Sequence, residues 1–384
     1  MKKRIAILGS TGSIGKSTLV VIKKDKKNFE IVLLTANNNY KKLIKQAKEF
    51  KAKNVIINNK KFFKKVKKSL KNTKVYFGDI SLRKVVNKRL DYTMSAVVGL
   101  AGLQPTIDAV KISKTIAVAN KETIICGWEI LSKLIKKNKT KFVPVDSEHF
   151  SIMELTKGLR NEHVAEIIIT ASGGPFLNSS INKLKKIKPN QATKHPNWKM
   201  GRKISVDSAT LMNKIFEVIE AHKLFKFHIS KYKIMIHPQS YVHSIIRFKN
   251  GLTKMILYDT DMKIPISNTL YKNTIFKKNN IKINDLNNLN FQEVNPKIFP
   301  SIKLLKKCFK LGPSTPIIVN AANEVLVDLF LKKKIGFLDI VKTINKILKA
   351  RNFKKYAKMN PKSLKDIKMA DNWARLKTIN MCVR

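Results

Sequence analysis

An apolar run, Ile5-Ala6-Ile7-Leu8, breaks directly into Gly9-Ser10-Thr11-Gly12-Ser13-Ile14-Gly15-Lys16-Ser17. No other stretch constrains the fold as much. A strand that ends in a glycine-rich turn and reopens as a helix brings backbone N–H groups close to a phosphate at the helix N-terminus. Two phosphate-binding turns share this outline. A P-loop needs G-x-x-x-x-G-K-[ST]. Here Ser10 stands where the first glycine belongs, Gly9 lies one residue too early, and no convincing apolar run ending in Asp follows to hold magnesium. A dinucleotide turn reads G-x-G-x-x-G/A after a strand. This chain has G-x-x-G-x-x-G, nearer to the second pattern without matching it. On these residues alone a plain strand–turn–helix also stays open.

The second apolar run, Ile31 to Leu34, ends in Ala36-Asn37-Asn38-Asn39. An NAD site usually carries an acid here, bonded to the ribose 2′-hydroxyl. A carboxylate would repel a 2′-phosphate, so its absence favours NADP. Lys41 and Lys42 follow and could neutralise that phosphate.

Short apolar runs alternate with helical patterns through the first 146 residues: Ile5–Leu8, Ile31–Leu34, Asn54–Ile57, Tyr92–Ala96, Thr115–Ala119 and Lys141–Val145. Such alternation predicts a parallel, doubly wound sheet. From EIIITASGGPF (166–176) the pattern mixes strands and helices. The stretches 232–248 and 252–259 read as sheet, and Asn250-Gly251 between them signals a hairpin. Residues 272–297 are polar and asparagine-rich, a connecting segment. From Pro300 the pattern turns helical, with Ile340, Ile344 and Leu348 on one stripe. There is no internal repeat. With 384 residues, 43% of them hydrophobic, two or three domains with a buried core are expected.

The net charge of +53 raises the question of nucleic acid. The stretch 58–74 even interleaves aromatics with lysines. Yet basic residues run through nearly every segment, and only nine of the 78 are arginine, the residue favoured for base readout and bidentate phosphate clamps. Abundant Lys, Asn and Ile together are what drift toward A- and T-rich codons would produce. No specific nucleic-acid partner is therefore expected. No apolar run is long enough to span a bilayer, and with the glycine turn this near Met1 no targeting peptide is expected. Cys126, Cys308 and Cys382 are far apart and odd in number, as for reduced thiols in a cytoplasm.

Three regions carry chemistry. In KFVPVDSEHF a strand ends in Asp146-Ser147-Glu148. In extended chain, residues i and i+2 point the same way, so two carboxylates could converge and share a magnesium or manganese ion. Solvated acids at a strand end would look the same. In SVDSATLMNKIFEVIEAH, Asp207 or Ser208 is a natural N-cap, and Asn213, Lys214 and Glu217 share one face of the helix that follows. That face could bind phosphate through Ser208, Asn213 and Lys214 while Glu217 reaches metal, or it could be a surface helix with an ordinary ion pair. Ser172-Gly173-Gly174 offers backbone N–H groups to an anion, and 194–203 has the composition of a lid around Trp198. A lone His195 is more often structural than catalytic. His237 and His243, six residues apart on a strand, read as sheet packing or interface.

GSTGSIG, ANKE (119–122), PVDSEH (144–149), SGGPF (172–176), HPNW-x-MGRKISVDSAT-x-MNK (195–214), IHPQS (236–240) and NAANE (320–324) occur in this order. Together they resemble the 1-deoxy-D-xylulose 5-phosphate reductoisomerase family. The resemblance implies an oxidoreductase of the non-mevalonate (MEP) isoprenoid pathway that uses NADPH and magnesium or manganese. Such an enzyme rearranges and reduces that sugar phosphate to 2-C-methyl-D-erythritol 4-phosphate. It implies a cytoplasmic homodimer with no membrane partner. It places metal between Asp146, Glu148 and Glu217. Lys121, Ser147 and Glu148 would meet the substrate's hydroxyl and carbonyl end, and Ser172, His195, Ser208, Asn213 and Lys214 its phosphate, with Trp198 closing over it. The cofactor would lie along Thr11, Gly12, Ser13 and Ile14, touch Asn37, Asn38, Asn39, Asn120 and Glu122, and meet Gly201 from the lid. Where such enzymes often show Gly-Lys-Asn, this chain has Asn37-Asn38-Asn39, so Lys41 or Lys42 is left to face the 2′-phosphate. The expected organisation is α/β. An N-terminal Rossmann-like doubly wound parallel sheet binds NADPH over 1–146. A central α+β catalytic domain with the lid spans 147–271, a linker 272–297, and a C-terminal α-helical domain 298–384.

Overall fold

The structure, a computed structural model, describes residues 1–271 and 281–382. Residues 272–280 of the expected linker and 383–384 at the end of the expected helical domain lie outside the described residues. The chain divides into two compact units. The first holds residues 1–123, 128–150 and 262–271, and the second holds 124–127, 151–261 and 281–382.

The first unit is built on seven strands: β1 (Lys3–Leu8), β2 (Phe29–Ala36), β3 (Asn54–Ile57), β4 (Lys74–Phe77), β5 (Leu90–Ser95), β6 (Ser113–Val118) and β7 (Lys141–Pro144). All pairs are parallel, in the order β4-β3-β2-β1-β5-β6-β7. Ile5 to Leu8 are fully buried, as a central strand covered on both faces requires. The chain leaves β1 to one side and returns to its other side at β5, so the glycine turn sits at the switch point of the strand order. Six of the strands match the sequence reading to within two residues. The seventh, β4, escaped it. This strand is an edge, only partly buried, and lies in a lysine-rich stretch without alternation.

The helix Lys263–Leu270 belongs to this unit although sequence order places it with 147–271. Its Ile266 and Leu270 are buried in the same apolar cluster as Ile22, Phe29 and Tyr92. The Tyr92 hydroxyl bonds Thr269 Oγ1 at 2.8 Å, and Lys3 Nζ donates to the Leu270 carbonyl at 2.8 Å. The aromatics of 58–74 are used within the unit as well. Phe62 stacks on Tyr40 and Phe63 meets Phe77, with Lys65 and Lys67 lying over the Tyr40 and Phe63 rings.

The second unit carries a five-stranded mixed sheet of β8 (Val164–Ala171), β9 (Tyr232–Ile236), β10 (Val242–Phe248), β11 (Thr253–Leu257) and β12 (Gln292–Glu293), ordered β11-β10-β8-β9-β12. The Asn250-Gly251 hairpin joins antiparallel β10 and β11, and Gly251 has φ +87°. The stretch 232–248 is not one strand. It breaks at His237–Ser240, where Ser240 takes φ +59°, and β8 separates the two halves. The short β12 pairs with β9, so the described part of the polar segment 272–297 closes a sheet edge rather than only connecting. Helices Ile302–Lys310, Thr315–Leu331, Asp339–Ile347 and Leu364–Cys382 follow. Ile340, Ile344 and Leu348 are buried as their spacing predicts. No disulfide joins Cys126, Cys308 and Cys382, and burial pushes the Cys308 thiol up to about 12.

Two glycines of the first turn are dictated by close packing. Gly9 has φ +78°, and a Cβ there would stand 2.6 Å from the Ala96 carbonyl oxygen. At Gly15 it would stand 2.5 Å from the Gly9 carbonyl oxygen. Between them Ser10 is fully buried. Its hydroxyl donates to Gln46 Oε1 at 2.8 Å, and Gln46 Nε2 donates back to its carbonyl at 2.9 Å. The residue standing where a P-loop needs glycine is thus locked into the core, which removes that alternative. Gly9→Ala is expected to cost ~1–3 kcal/mol, from the left-handed backbone and the close approach. Gly12→Ala, at φ −73°, should cost far less. Urea unfolding midpoints of the two variants check this; equal midpoints would refute it.

Candidate active site

In the first unit the turn leaves Gly12 and Ser13 exposed at the start of the helix Ser13–Lys23, which has no side-chain cap. Thr11 and Ile14 flank them, half-buried. At the end of neighbouring β2, Asn37, Asn38 and Asn39 are exposed. Asn39 caps the helix Tyr40–Glu49 by accepting from Lys42 N at 3.2 Å, and Asn38 Oδ1 accepts from Asn59 Nδ2 at 2.8 Å. Desolvation, and then the charge of Lys16, lower the Lys42 ammonium below the usual lysine range, so two cations lean together beside the turn.

Asn120 is buried and caps the helix Lys121–Lys137. Its Oδ1 accepts from Thr123 N at 2.6 Å, and its Nδ2 donates to the Val97 carbonyl and, at 2.9 Å, to that of Gly99. Its amide therefore holds the β5–β6 connection in place. Glu122, in the first turn of that helix, is buried. The first residue of the helix, Lys121, reaches Asp146, with Nζ 2.5 Å from Oδ2 and the two side chains 14% and 19% exposed.

Asp146 and Glu148 meet by a different route from the one their spacing suggests. The strand stops at Pro144 and a helix starts at Ser147, so extended-chain alternation does not apply. Instead Glu148 opens the helix, its N–H 3.3 Å from Asp146 Oδ1, while Ser147 Oγ donates to Glu148 Oε2 at 2.6 Å. Glu148 stands in the first turn and Asp146 immediately before it, where the helix dipole favours negative charge.

In the second unit two clusters form. One centres on His195. Its Nδ1 accepts from the Asn197 and Trp198 N–H groups at 3.1 and 3.0 Å, which places the ring proton on Nε2. Nε2 lies 2.9 Å from Ser172 Oγ, and Gly174 N–H donates to the same oxygen at 3.1 Å. Ser172 Oγ thus accepts twice and keeps its own proton to donate elsewhere. Burial, then the charge of Lys214, push His195 down to about 4. It is neutral near pH 7 and orients its neighbours rather than carrying charge. Trp198 meets the ring of His243 edge-on at 5.8 Å, and His243 lies 4.2 Å from Tyr258. His243, read from the sequence as sheet packing or interface, is buried on β10 and packs against both rings. His237 does pack, stacked on Phe291 at 4.6 Å. Gly201 caps the helix Arg202–Ala209 with open space around it.

The other cluster is on the helix Met212–Phe225. Glu217 is 1% exposed. Lys214 Nζ lies 2.5 Å from its Oε2 and Asn213 Nδ2 donates to its Oε1, so this is a buried polar face and not a solvated ion pair. Asn213 Oδ1 is a buried acceptor without a hydrogen-bond partner. Asp207 and Ser208 do not cap this helix. They end the preceding one, and Leu211, at φ +61°, occupies the cap. In each unit the acids are carboxylates bonded to ammonium or amide donors, an oxygen-only set suited to a hard divalent cation.

A parallel doubly wound sheet with a glycine turn at its switch point, followed by a mixed α/β unit with buried acid–lysine clusters, defines a Rossmann-like α/β enzyme class. Profiles of 1-deoxy-D-xylulose 5-phosphate reductoisomerase match residues 5–127, and those of its C-terminal domains match 142–225 and 257–377. The reductoisomerase of Pelagibacter ubique is 49% identical over 99% of this chain and 100% of its own length, and that of Wolbachia pipientis from Culex pipiens 42% over 97% and 96%. The solved Zymomonas mobilis reductoisomerase, in complex with NADPH, superposes with a TM-score of 0.91 at 35% identity over all of both chains. A reductoisomerase in complex with NADPH, fosmidomycin and magnesium gives 0.92 at 31%, over 99% of this chain and 98% of the other. The chain belongs to the 1-deoxy-D-xylulose 5-phosphate reductoisomerase family.

Because the folded His195 titrates near 4 and an unfolded one near 6.5, the unfolded chain binds an extra proton between these values. This histidine's contribution is complete above pH 6.5 and lost as pH falls toward 4. Wild type should lose stability over that window relative to His195→Gln, measured as denaturant midpoints; parallel curves would refute a buried neutral imidazole.

Proposed function

We propose that this chain converts 1-deoxy-D-xylulose 5-phosphate to 2-C-methyl-D-erythritol 4-phosphate with NADPH and a divalent cation, as an oxidoreductase of isoprenoid precursor synthesis. The observation that carries this reading is full-length kinship with reductoisomerases combined with an oxygen-only acid set at the family's motif positions. We assign the ion, magnesium or manganese, to Asp146, Glu148 and Glu217, the oxygen donors at the family's motif positions. When bound, it supplies Lewis-acid polarisation of the substrate's carbonyl and neighbouring hydroxyl oxygens, and NADPH supplies the hydride.

The chain's own residues do the rest. Lys121, Ser147 and Glu148 orient the hydroxyl and carbonyl end. Lys214 provides charge to the substrate phosphate, Ser172 donates its free proton, and Ser208 and Asn213 complete the donors. Neutral His195 fixes Ser172 and the Trp198 backbone together, so that closing the lid over the sugar and binding its phosphate become one event. Phosphate binding lies away from the reacting carbons, and its energy can hold the sugar in place. Thr11, Gly12, Ser13 and Ile14 cradle the NADPH pyrophosphate at the helix N-terminus. Asn37, Asn38 and Asn39 line the ribose, with Asn120, Glu122 and Gly201 nearer the nicotinamide. Lys42, backed by Lys16, takes the 2′-phosphate in place of the missing family lysine; the two leaning ammoniums support this.

The reading includes a cytoplasmic homodimer without specific nucleic-acid or membrane partners. Among the described residues no helix is long and apolar enough to cross a membrane. Lysine-dominated, dispersed charge supports the absence of base readout.

NADPH oxidation followed by ultraviolet absorbance should require both the sugar phosphate and magnesium or manganese, and stop with chelator. Glu217→Gln should abolish turnover while leaving NADPH affinity near wild type. Wild-type turnover by this variant at saturating magnesium would remove Glu217 from the ion, and oxidation without sugar phosphate would overturn the activity.

A further inference from the structure

Ser208 on one helix and Asn213 and Lys214 on the next are separated by a corner of unusual backbone. Leu211, 1% exposed, sits at φ +61°, a region that non-glycine residues rarely adopt. The helix it opens has no side-chain cap. Local backbone bonds span the corner, Leu211 N–H to the Ser208 carbonyl and Lys214 N–H to the Leu211 carbonyl, both at 3.1 Å, but a non-glycine residue at this φ is strained, and such strain persists where surrounding structure over-determines it.

The surrounding bonds come from far along the chain. Ser301 Oγ, fully buried, donates to the Thr210 carbonyl at 2.6 Å. Asn323 Nδ2 donates to Asp207 Oδ1 at 2.7 Å, both residues buried, while Lys203 Nζ lies 3.3 Å from the other carboxylate oxygen. Leu211 itself packs in an apolar cluster with Ala171, Ile236 and Phe299. On the opposite side a Cβ at Gly174 would stand 3.0 Å from Ala209 Cα, so the corner also abuts the loop that carries Ser172.

We infer that Asn323 and Ser301 are positioning residues for the phosphate end of the substrate. By fixing Asp207 and the Thr210 carbonyl, they set the register between Ser208 on one arm of the left-handed corner and Asn213 and Lys214 on the other. This rests on the phosphate assignment made above. Neither residue touches the substrate. If Leu211 relaxed to ordinary φ, one arm would swing relative to the other and the donors would no longer converge.

Asn323→Ala and Ser301→Ala, in the full-length protein with magnesium, should each raise KM for the sugar phosphate about tenfold, the scale of one lost buried hydrogen bond. KM for NADPH and kcat should stay within about twofold. The double variant should raise KM no more than about twofold beyond the larger single effect, since both act on one corner. Ile344→Val, a buried change on the helix Asp339–Ile347 of the same unit, should lower the unfolding midpoint without that split. Unchanged KM for the sugar phosphate in both single variants, or equal shifts for both ligands, overturns the inference. Lys214→Ala distinguishes the two layers. If it raises KM while the positioning variants do not, the corner inference falls alone; if none of the three does, the phosphate assignment falls with it.

Discussion

A carboxylate withdrawn from water stays ionised only if positive charge and hydrogen bonds replace its hydration. Glu217, on a helix buried along most of its length, meets that requirement through Lys214 and Asn213. The face that carries this acid is therefore one polar assembly, in which removing any member strands the others. Asp146 follows the same rule at a helix start, with Lys121 as its cation and the Glu148 amide as a donor. Each of these acids thus has its cation within the same unit of the fold.

Much of the first unit was legible because its strands are continuous apolar runs buried on both faces, and because Gly9 and Gly15 leave a spacing that packing imposes. The second unit was less legible. Its strand run holds a break between the apolar stretches 232–236 and 242–248, signalled in the sequence by Pro238, which cannot donate to a ladder, and closed in the structure by the left-handed Ser240. The candidate acids were named from pattern, yet for a partly mistaken reason. Asp146 and Glu148 are joined by helix-start bonding, and Asp207 serves as a buried anchor rather than a cap. The first depended on where the strand stops and the helix starts, and the second on Asn323, more than a hundred residues from Asp207 and outside any local window.

The helix Lys263–Leu270 makes the same point for domain organisation. Chain order puts it beside the hairpin, but Ile266 and Leu270 find their apolar partners among residues near the start of the sequence. Long-range packing, not contiguity, decides which unit it joins.

The four sheet edges, β4, β7, β11 and β12, would each be a template for a passing strand were they smooth and apolar. Three of them carry lysine: Lys74 and Lys141 at the first residues of β4 and β7, and Lys254 within β11. The fourth is two residues long. The abundance of lysine thus leaves these edges with gatekeepers against zippering into fibres, and crowding many copies together should meet mutual repulsion before any backbone pairing begins.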